Sequence, residues 1–150
     1  MESLSAQVLA ALRERGETVA CAESLTGGGL AVVLTAAPGS SVSMRGGVVS
    51  YATEVKRDLL GVSAPFVVSG ECAEQMAQGV RSLLGATWGI STTGVSGPDT
   101  QEGRPVGTVF VGIAGPGVSR FRQLALTGDR EAIRRATVTA ALEDLADALG

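Results

Sequence analysis

Apolar residues along this 150-residue chain recur at helical spacing in some segments and form short strand-like runs in others. Leu4, Val8 and Leu12 recur every four residues and Gly16 follows them, which predicts a first helix that ends at the glycine. The same patterns predict strands over 18–22, 46–51, 87–95, 106–115 and 118–127, and helices over 28–37, 53–61, 69–84 and from about Asp129 onward. Strands alternate with helices early in the chain and a hairpin follows. We therefore predict an α/β fold, a three-layer α/β/α sandwich on a mostly parallel, mixed sheet of five to six strands.

The composition is that of a globular protein with an aliphatic core. Apolar residues make up 45% of the chain and charged residues 18%, whereas aromatic residues make up only 3%. A chain of this length suits one domain that buries roughly two thirds of its unfolded surface. We therefore expect residues 1–150 to form a single domain.

Charge and cysteine usage exclude several classes of function. A net charge of −3 and no basic tract argue against a nucleic-acid partner. No apolar run is long enough for a membrane span, and the N-terminus lacks the polarity of a secretory signal. Cys21 and Cys72 have no metal-ligand spacing, which is typical of buried thiols in a reducing compartment. We expect a cytoplasmic protein without nucleic-acid or membrane partners and without a metal.

Ser24 lies between a predicted buried strand and a predicted helix. It would sit at the C-terminal end of that strand, where open α/β sheets bind ligands. The backbone N–H groups from Leu25 to Gly28 would be free donors at a helix N-terminus, and the glycines 27–29 would let a ligand come close. Such donors can bind a phosphate or stabilise an oxyanion. Tight packing of the helix on the sheet explains the glycines equally well.

Lys56 is the only lysine in the chain, and histidine is absent. Arginine stays protonated in proteins, so Lys56 is the only side-chain nitrogen base, and histidine-dependent triads are excluded. A serine–lysine pair would use Ser24 and Lys56 together, provided that burial lowers the lysine pKa by roughly two units from 10.4. Tyr51 would carry a proton between them or orient the lysine. One alternative is a mechanism that uses a pair of carboxylates. Another is that Lys56 is an ordinary solvated lysine on a helix and takes no part in chemistry. The candidate carboxylates are Glu23, Glu54, Asp99 and Asp129.

Six motifs occur in one order along the chain: AESLTGG (22–28), PGSS (38–41), GGVVSYATEVK (46–56), TTGVSGPD (92–99), RPVGTV (104–109) and TGDREAIRRAT (127–137). Together they resemble the CinA C-terminal domain family, which includes bacterial nicotinamide mononucleotide deamidases of the PncC type. The resemblance implies a serine–lysine amidohydrolase that converts nicotinamide mononucleotide to nicotinic acid mononucleotide and ammonia. It also implies that the protein forms a homo-oligomer and that its substrate is a small pyridine nucleotide. The reaction of that family needs neither a metal nor an organic cofactor.

The resemblance assigns roles to individual residues. Ser24 corresponds to the nucleophile, Lys56 to its base and Tyr51 to the assisting tyrosine. The residues it implies in substrate binding are Thr26, Gly27, Gly28, Ser41, Thr93, Gly94 and Arg130. Between Val62 and Val68 the chain is shorter than the usual family pattern, which we expect to reshape the pocket rim or a subunit contact.

The same residues leave other functions open. The pair of Ser24 and Lys56 would also suit a different amide or an ester. Alternatively, the glycine-rich turn and Arg130 would hold a phosphate in a nucleotide-binding or regulatory module that performs no chemistry. A structural role in competence or damage-response assemblies is the third alternative, and it is suggested by the family's name alone.

Overall fold

Five strands form one mixed sheet in the computed structural model of the protein, which describes residues 2–150. The strands are β1 (Val19–Glu23), β2 (Met44–Val49), β3 (Trp88–Gly94), β4 (Thr108–Gly115) and β5 (Val118–Ala125), in the spatial order β2-β1-β3-β4-β5. β1 is parallel to both of its neighbours, whereas β4 is antiparallel to β3 and to β5. Only β4 therefore runs against the common direction. This confirms the predicted mixed, mostly parallel sheet.

Helices cover both faces of the sheet, as the predicted three-layer sandwich requires. The helices are α1 (Glu2–Arg15), α2 (Gly29–Thr35), α3 (Thr53–Leu60), α4 (Gly70–Leu84) and α5 (Arg130–Leu149), and a short 3₁₀ turn spans Ser40–Val42. α1, α2 and α5 share one aliphatic core with the sheet, and α3 and α4 form a second core on the other side. No helix within residues 2–150 is both long and apolar enough to cross a bilayer.

Side chains of β1 alternate between these two cores. Val19 and Cys21 belong to the core under α1, α2 and α5, whereas Ala20 and Ala22 belong to the core under α4. This is the period of two that a buried strand requires. The alternation sends Glu23, the last residue of β1, toward α2, where its carboxylate accepts bonds from the helix backbone. The next residue, Ser24, can then face the other side of the sheet, which is the side of α3 and α4.

The second strand ends earlier than its sequence predicts. The pattern 46–51 predicts a strand that includes Ser50 and Tyr51, but β2 ends at Val49. The carbonyl groups of Ser50 and Tyr51 instead accept hydrogen bonds from the side chain of Lys56. The chain therefore leaves the sheet and begins α3 at Thr53, which brings Lys56 back toward the sheet edge.

Candidate active site

Ser24 and Lys56 line the same cavity because β1 and β2 are parallel neighbours. Glu23 pairs with Val49 in the sheet, so the residues that follow each strand lie at the same edge. The N–H of Ser24 donates to the backbone carbonyl of Thr92 at 3.1 Å, and the Thr92 hydroxyl lies 3.3 Å from the same nitrogen. Ser24 and Lys56 both line one cavity, which holds about 390 Å³.

Lys56 is almost completely buried, with 2% of its surface exposed. Its ammonium group donates to the backbone carbonyls of Ser50 at 2.8 Å and Tyr51 at 3.3 Å. No carboxylate within residues 2–150 forms an ion pair with it. Burial lowers the pKa of Lys56, and the weaker fields of Cys72 and Glu102 oppose that shift only in part. The lysine is therefore not a solvated surface residue, and its burial makes the neutral amine more accessible than it is for a lysine in water.

Tyr51 and Arg130 stand at the mouth of the cavity. The Tyr51 side chain is 60% exposed, and its hydroxyl accepts a hydrogen bond from Arg130 at 3.0 Å. A second nitrogen of Arg130 donates to the Gly97 carbonyl. Asp129 caps α5 by accepting the N–H of Ala132 at 2.9 Å, and so presents Arg130 in the first helical turn. The guanidinium joins the Tyr51 segment to the 95–101 loop.

The Thr93 hydroxyl is not a free donor. Thr93 lines the cavity, but its hydroxyl donates to the carbonyl of Val67 at 2.7 Å. Its single hydroxyl hydrogen is therefore already engaged, so only the hydroxyl oxygen of this predicted substrate-binding residue is left to accept a bond. Gly94, the next residue, lines the same wall.

Backbone N–H groups of the Ser24 turn are the remaining donors. Gly27 donates to the Ser24 carbonyl at 3.1 Å, but within residues 2–150 the N–H groups of Leu25 and Thr26 have no protein acceptor. Arg134 of α5 donates to the Leu25 carbonyl at 2.9 Å. In a trans peptide the N–H points opposite to the carbonyl, so the N–H of Thr26 points away from Arg134.

The structure does not bring four of the predicted residues to this cavity. The Thr26 hydroxyl bonds Glu23 at 2.5 Å and Thr92 at 2.9 Å. Gly27 has φ +59° and lies against Arg134, and Gly28 has φ +106° at the start of α2. These three residues shape the turn: Thr26 through its hydrogen bonds, and the two glycines because only glycine adopts such φ values without strain.

The fourth of these residues is Ser41, which lies at the opposite edge of the sheet. It belongs to the exposed turn before β2, whereas Ser24 follows the far end of β1. A strand of this length separates the two edges by about 17 Å. The PGSS motif therefore lies outside the cavity of this chain.

Most of the cavity rim consists of residues that were not among the predicted site residues. Besides the predicted residues, the cavity is lined by Leu25, Val67, Val68, the loop Val95–Gly97 and the segment Pro98–Gln101. Glu102 holds the shortened segment in place, because its carboxylate accepts the N–H groups of Val67 at 3.0 Å and Val68 at 2.7 Å. The polar loop could have been recognised from its position, since it follows a strand that is parallel to β1 and ends at the same edge.

Carboxylates do not form a catalytic pair here. Of the four candidate carboxylates only Asp99 lines the cavity. Glu23 points under α2 and Asp129 caps α5. Within residues 2–150 no group of three or more Cys, Asp or Glu side chains is placed to hold a metal ion.

The lowered pKa of Lys56 predicts how stability changes with pH. Between the lowered pKa and about 10.4 the unfolded chain binds more protons than the folded chain, so the free energy of unfolding rises with pH by about 1.4 kcal/mol per pH unit. Lys56→Met lacks this dependence. As pH rises through that window, we expect the free energy of unfolding of the wild type to increase relative to that of Lys56→Met. Urea unfolding of both proteins at a series of pH values measures this difference. Parallel curves for the two proteins would mean that the lysine is not perturbed.

Comparison with known proteins gives the family of this fold and site. The model of the CinA C-terminal domain matches residues 1–149. The chain therefore belongs to the CinA C-terminal domain family. A CinA-like protein of Frankia casuarinae is 52% identical over 147 residues, which are 95% of this chain and 34% of the relative. A putative competence-damage inducible protein of Geobacillus is 49% identical and matches 89% of this chain and 33% of the relative.

Solved structures of the family have the same fold. A CinA superfamily protein from Klebsiella pneumoniae is 34% identical, with a TM-score of 0.93 over 99% of this chain and 96% of its own. A CinA superfamily protein from Escherichia coli is 30% identical, with a TM-score of 0.94 over 98% of this chain and 89% of its own. The chain spans about one third of the length of the curated relatives it matches.

Proposed function

We propose that this domain is a serine–lysine amidohydrolase that deamidates nicotinamide mononucleotide. The observation that carries the proposal is that Ser24 and the buried Lys56 line one cavity at the C-terminal ends of β1 and β2. Lys56 is held only by neutral carbonyl groups and has a lowered pKa. A desolvated lysine of this kind can take the proton of a serine hydroxyl.

The reaction follows from these residues. Neutral Lys56 accepts the hydroxyl proton of Ser24 while the serine oxygen attacks the carboxamide carbon. The N–H group of Leu25, which lines the cavity and has no protein acceptor within residues 2–150, is the donor available for the oxyanion. Protonated Lys56 then gives its proton to the departing nitrogen, which leaves as ammonia. Water attacks the resulting ester, and the carboxylate product and free Ser24 are released.

Tyr51 supports this reaction in two ways. Its backbone carbonyl is one of the two acceptors that hold the Lys56 side chain. Its hydroxyl accepts a bond from Arg130, so the hydroxyl hydrogen remains available to a substrate at the mouth. Tyr51 therefore orients the base and contacts the substrate, rather than carrying a proton deep in the cavity.

The cavity suits a mononucleotide in size and charge. Its volume of about 390 Å³ lies within the usual range for small-molecule sites. Arg130 stands at the mouth, where the phosphate of a nucleotide would lie once the carboxamide reaches Ser24. The choice of a pyridine nucleotide rests on the family resemblance.

Ammonia release tests the proposal directly. We expect the wild-type protein to release ammonia from nicotinamide mononucleotide and to form nicotinic acid mononucleotide, followed by a coupled ammonia assay and by chromatography. Nicotinamide riboside, which lacks the phosphate, should show a kcat/KM lower by about 10- to 100-fold, because a charge-assisted hydrogen bond is lost.

Two outcomes would contradict the proposal. Nucleotide binding in calorimetry without ammonia release would favour a binding or regulatory module. This alternative is consistent with the name of the Geobacillus relative, which refers to competence and damage rather than to an enzyme. Turnover of other amides but not of the nucleotide would keep the mechanism and change the substrate.

A further inference from the structure

Glu23 is a buried carboxylate that the proposed reaction does not use. It is 1% exposed, yet no arginine or lysine within residues 2–150 pairs with it. Its oxygens instead accept the N–H groups of Leu30 at 2.8 Å and Ala31 at 3.0 Å and the Thr26 hydroxyl at 2.5 Å. An unpaired buried charge is costly unless such donors satisfy it. The Glu23 carboxyl group is therefore the shared hydrogen-bond acceptor of this cluster.

These contacts tie both ends of the serine turn together. Glu23 lies immediately before Ser24, and its carboxylate reaches forward to the first turn of α2. Thr26, in the middle of the turn, bonds Glu23 and also the Thr92 hydroxyl at 2.9 Å. Thr92 in turn accepts the N–H of Ser24. A closed path of hydrogen bonds therefore runs from the last residue of β1 through the turn and back to Ser24.

The path lies beneath the turn rather than in the cavity. The carboxylate of Glu23 faces α2, whereas Ser24 lines the cavity together with Lys56. Neither Glu23 nor Thr26 nor Thr92 lines the cavity, so none of them is placed to touch a substrate. Their effect on a reaction would be indirect.

We propose that Glu23 is a positioning residue for the nucleophile. Its carboxylate holds the turn so that the Ser24 hydroxyl and the N–H group of Leu25 face the cavity before a substrate arrives. This inference rests on the proposed function in one respect, namely that Ser24 is a nucleophile. It does not depend on which amide is the substrate.

Glu23→Gln removes the charge and keeps the shape. An amide has one oxygen and one NH₂ group, so one of the backbone N–H groups of α2 would face another donor. We expect kcat to fall by about 10- to 100-fold, since small displacements of a reacting group have effects of that size. KM should stay within about threefold, because the lining residues are unchanged.

Two further variants separate positioning from general destabilisation. Thr26→Val removes the central hydroxyl at nearly constant shape and should lower kcat in the same direction, whereas Thr26→Ser should retain the wild-type rate. Asp144→Asn is the matched control. It changes another buried carboxylate, which pairs with Arg122 at 2.9 Å and lies about 21 Å along α5 from Arg130. We expect it to lower stability without changing kcat.

Ser24 labelling by a fluorophosphonate gives a readout that needs no substrate. Labelling of Glu23→Gln should slow by the same factor as kcat, and amide exchange should accelerate over 24–31 and not elsewhere. The inference would be overturned if Glu23→Gln kept the wild-type labelling rate and the wild-type kcat. It would also be overturned if Asp144→Asn lost as much labelling rate and kcat as Glu23→Gln. If wild type is labelled but releases no ammonia from the nucleotide, the proposed substrate fails and the labelling rates still decide the role of Glu23. If wild type is not labelled and turns over no amide, Ser24 is no nucleophile and both proposals are overturned.

Discussion

Ser24→Ala is expected to abolish ammonia release, with kcat reduced by about 10⁴-fold or more. The residual rate would come only from binding and from the backbone donors, because the proposed acyl ester forms on the Ser24 hydroxyl. The fold should persist, since Ser24 contributes its backbone rather than its side chain to the contacts with Thr92 and Gly27. Nucleotide affinity, measured by calorimetry, should change little.

Ser91→Ala is the matched control for this substitution. Ser91 is a completely buried serine of β3 whose hydroxyl donates to the Ala73 carbonyl at 2.6 Å, and it does not line the cavity. We expect a loss of about 1 kcal/mol in the free energy of unfolding and nearly unchanged kcat. If Ser24→Ala keeps more than about a tenth of the wild-type rate, Ser24 is not the nucleophile, and activation of water by Lys56 becomes the better mechanism.

Lys56→Arg should also inactivate the protein, by about 10²- to 10⁴-fold in kcat/KM, which is the usual contribution of a general base. Arginine remains charged in proteins, so it cannot accept the serine proton, although it preserves the positive charge at the site. In the wild type, kcat/KM should rise with pH through the Lys56 pKa. Since burial lowers that pKa, the rising limb should lie below 10.4.

Amine rescue distinguishes loss of the base from loss of structure. Lys56→Ala leaves space in the cavity, and methylamine should restore part of the rate in proportion to its neutral fraction. Methylguanidinium, which stays charged, should not restore any. Activity retained in Lys56→Arg, or equal rescue by both compounds, would show that Lys56 does not act as a base.

The structure changes how the glycine-rich motif is understood. Three glycines after Ser24 predict a cradle for a ligand, but Gly27 packs on Arg134 and Gly28 begins α2. The N-terminus of α2 is already satisfied by the carboxylate of Glu23. Sequence spacing shows that donors exist at a helix start, yet it does not show whether the chain itself supplies their acceptor.

The fold was largely predictable because it depends on local patterns. The period of apolar residues and the positions of glycines and prolines distinguish helices from strands, and the order of elements leaves few sheet topologies. The class of chemistry was also narrowed by composition alone. A chain without histidine and with a single lysine offers Lys56 as its one side-chain nitrogen base near neutral pH.

The sequence by itself determined the α/β class, the element order and the identity of Ser24 and Lys56 as candidates, since these follow from residue type and short-range spacing. Only the tertiary structure decided that Lys56 is buried, that Thr93 is engaged with Val67, that Ser41 lies at the far edge and that Glu23 holds the serine turn. Those features depend on strand register and on contacts between residues distant in the chain. A one-residue change of register would exchange which side chains face the cavity, and no local pattern specifies it.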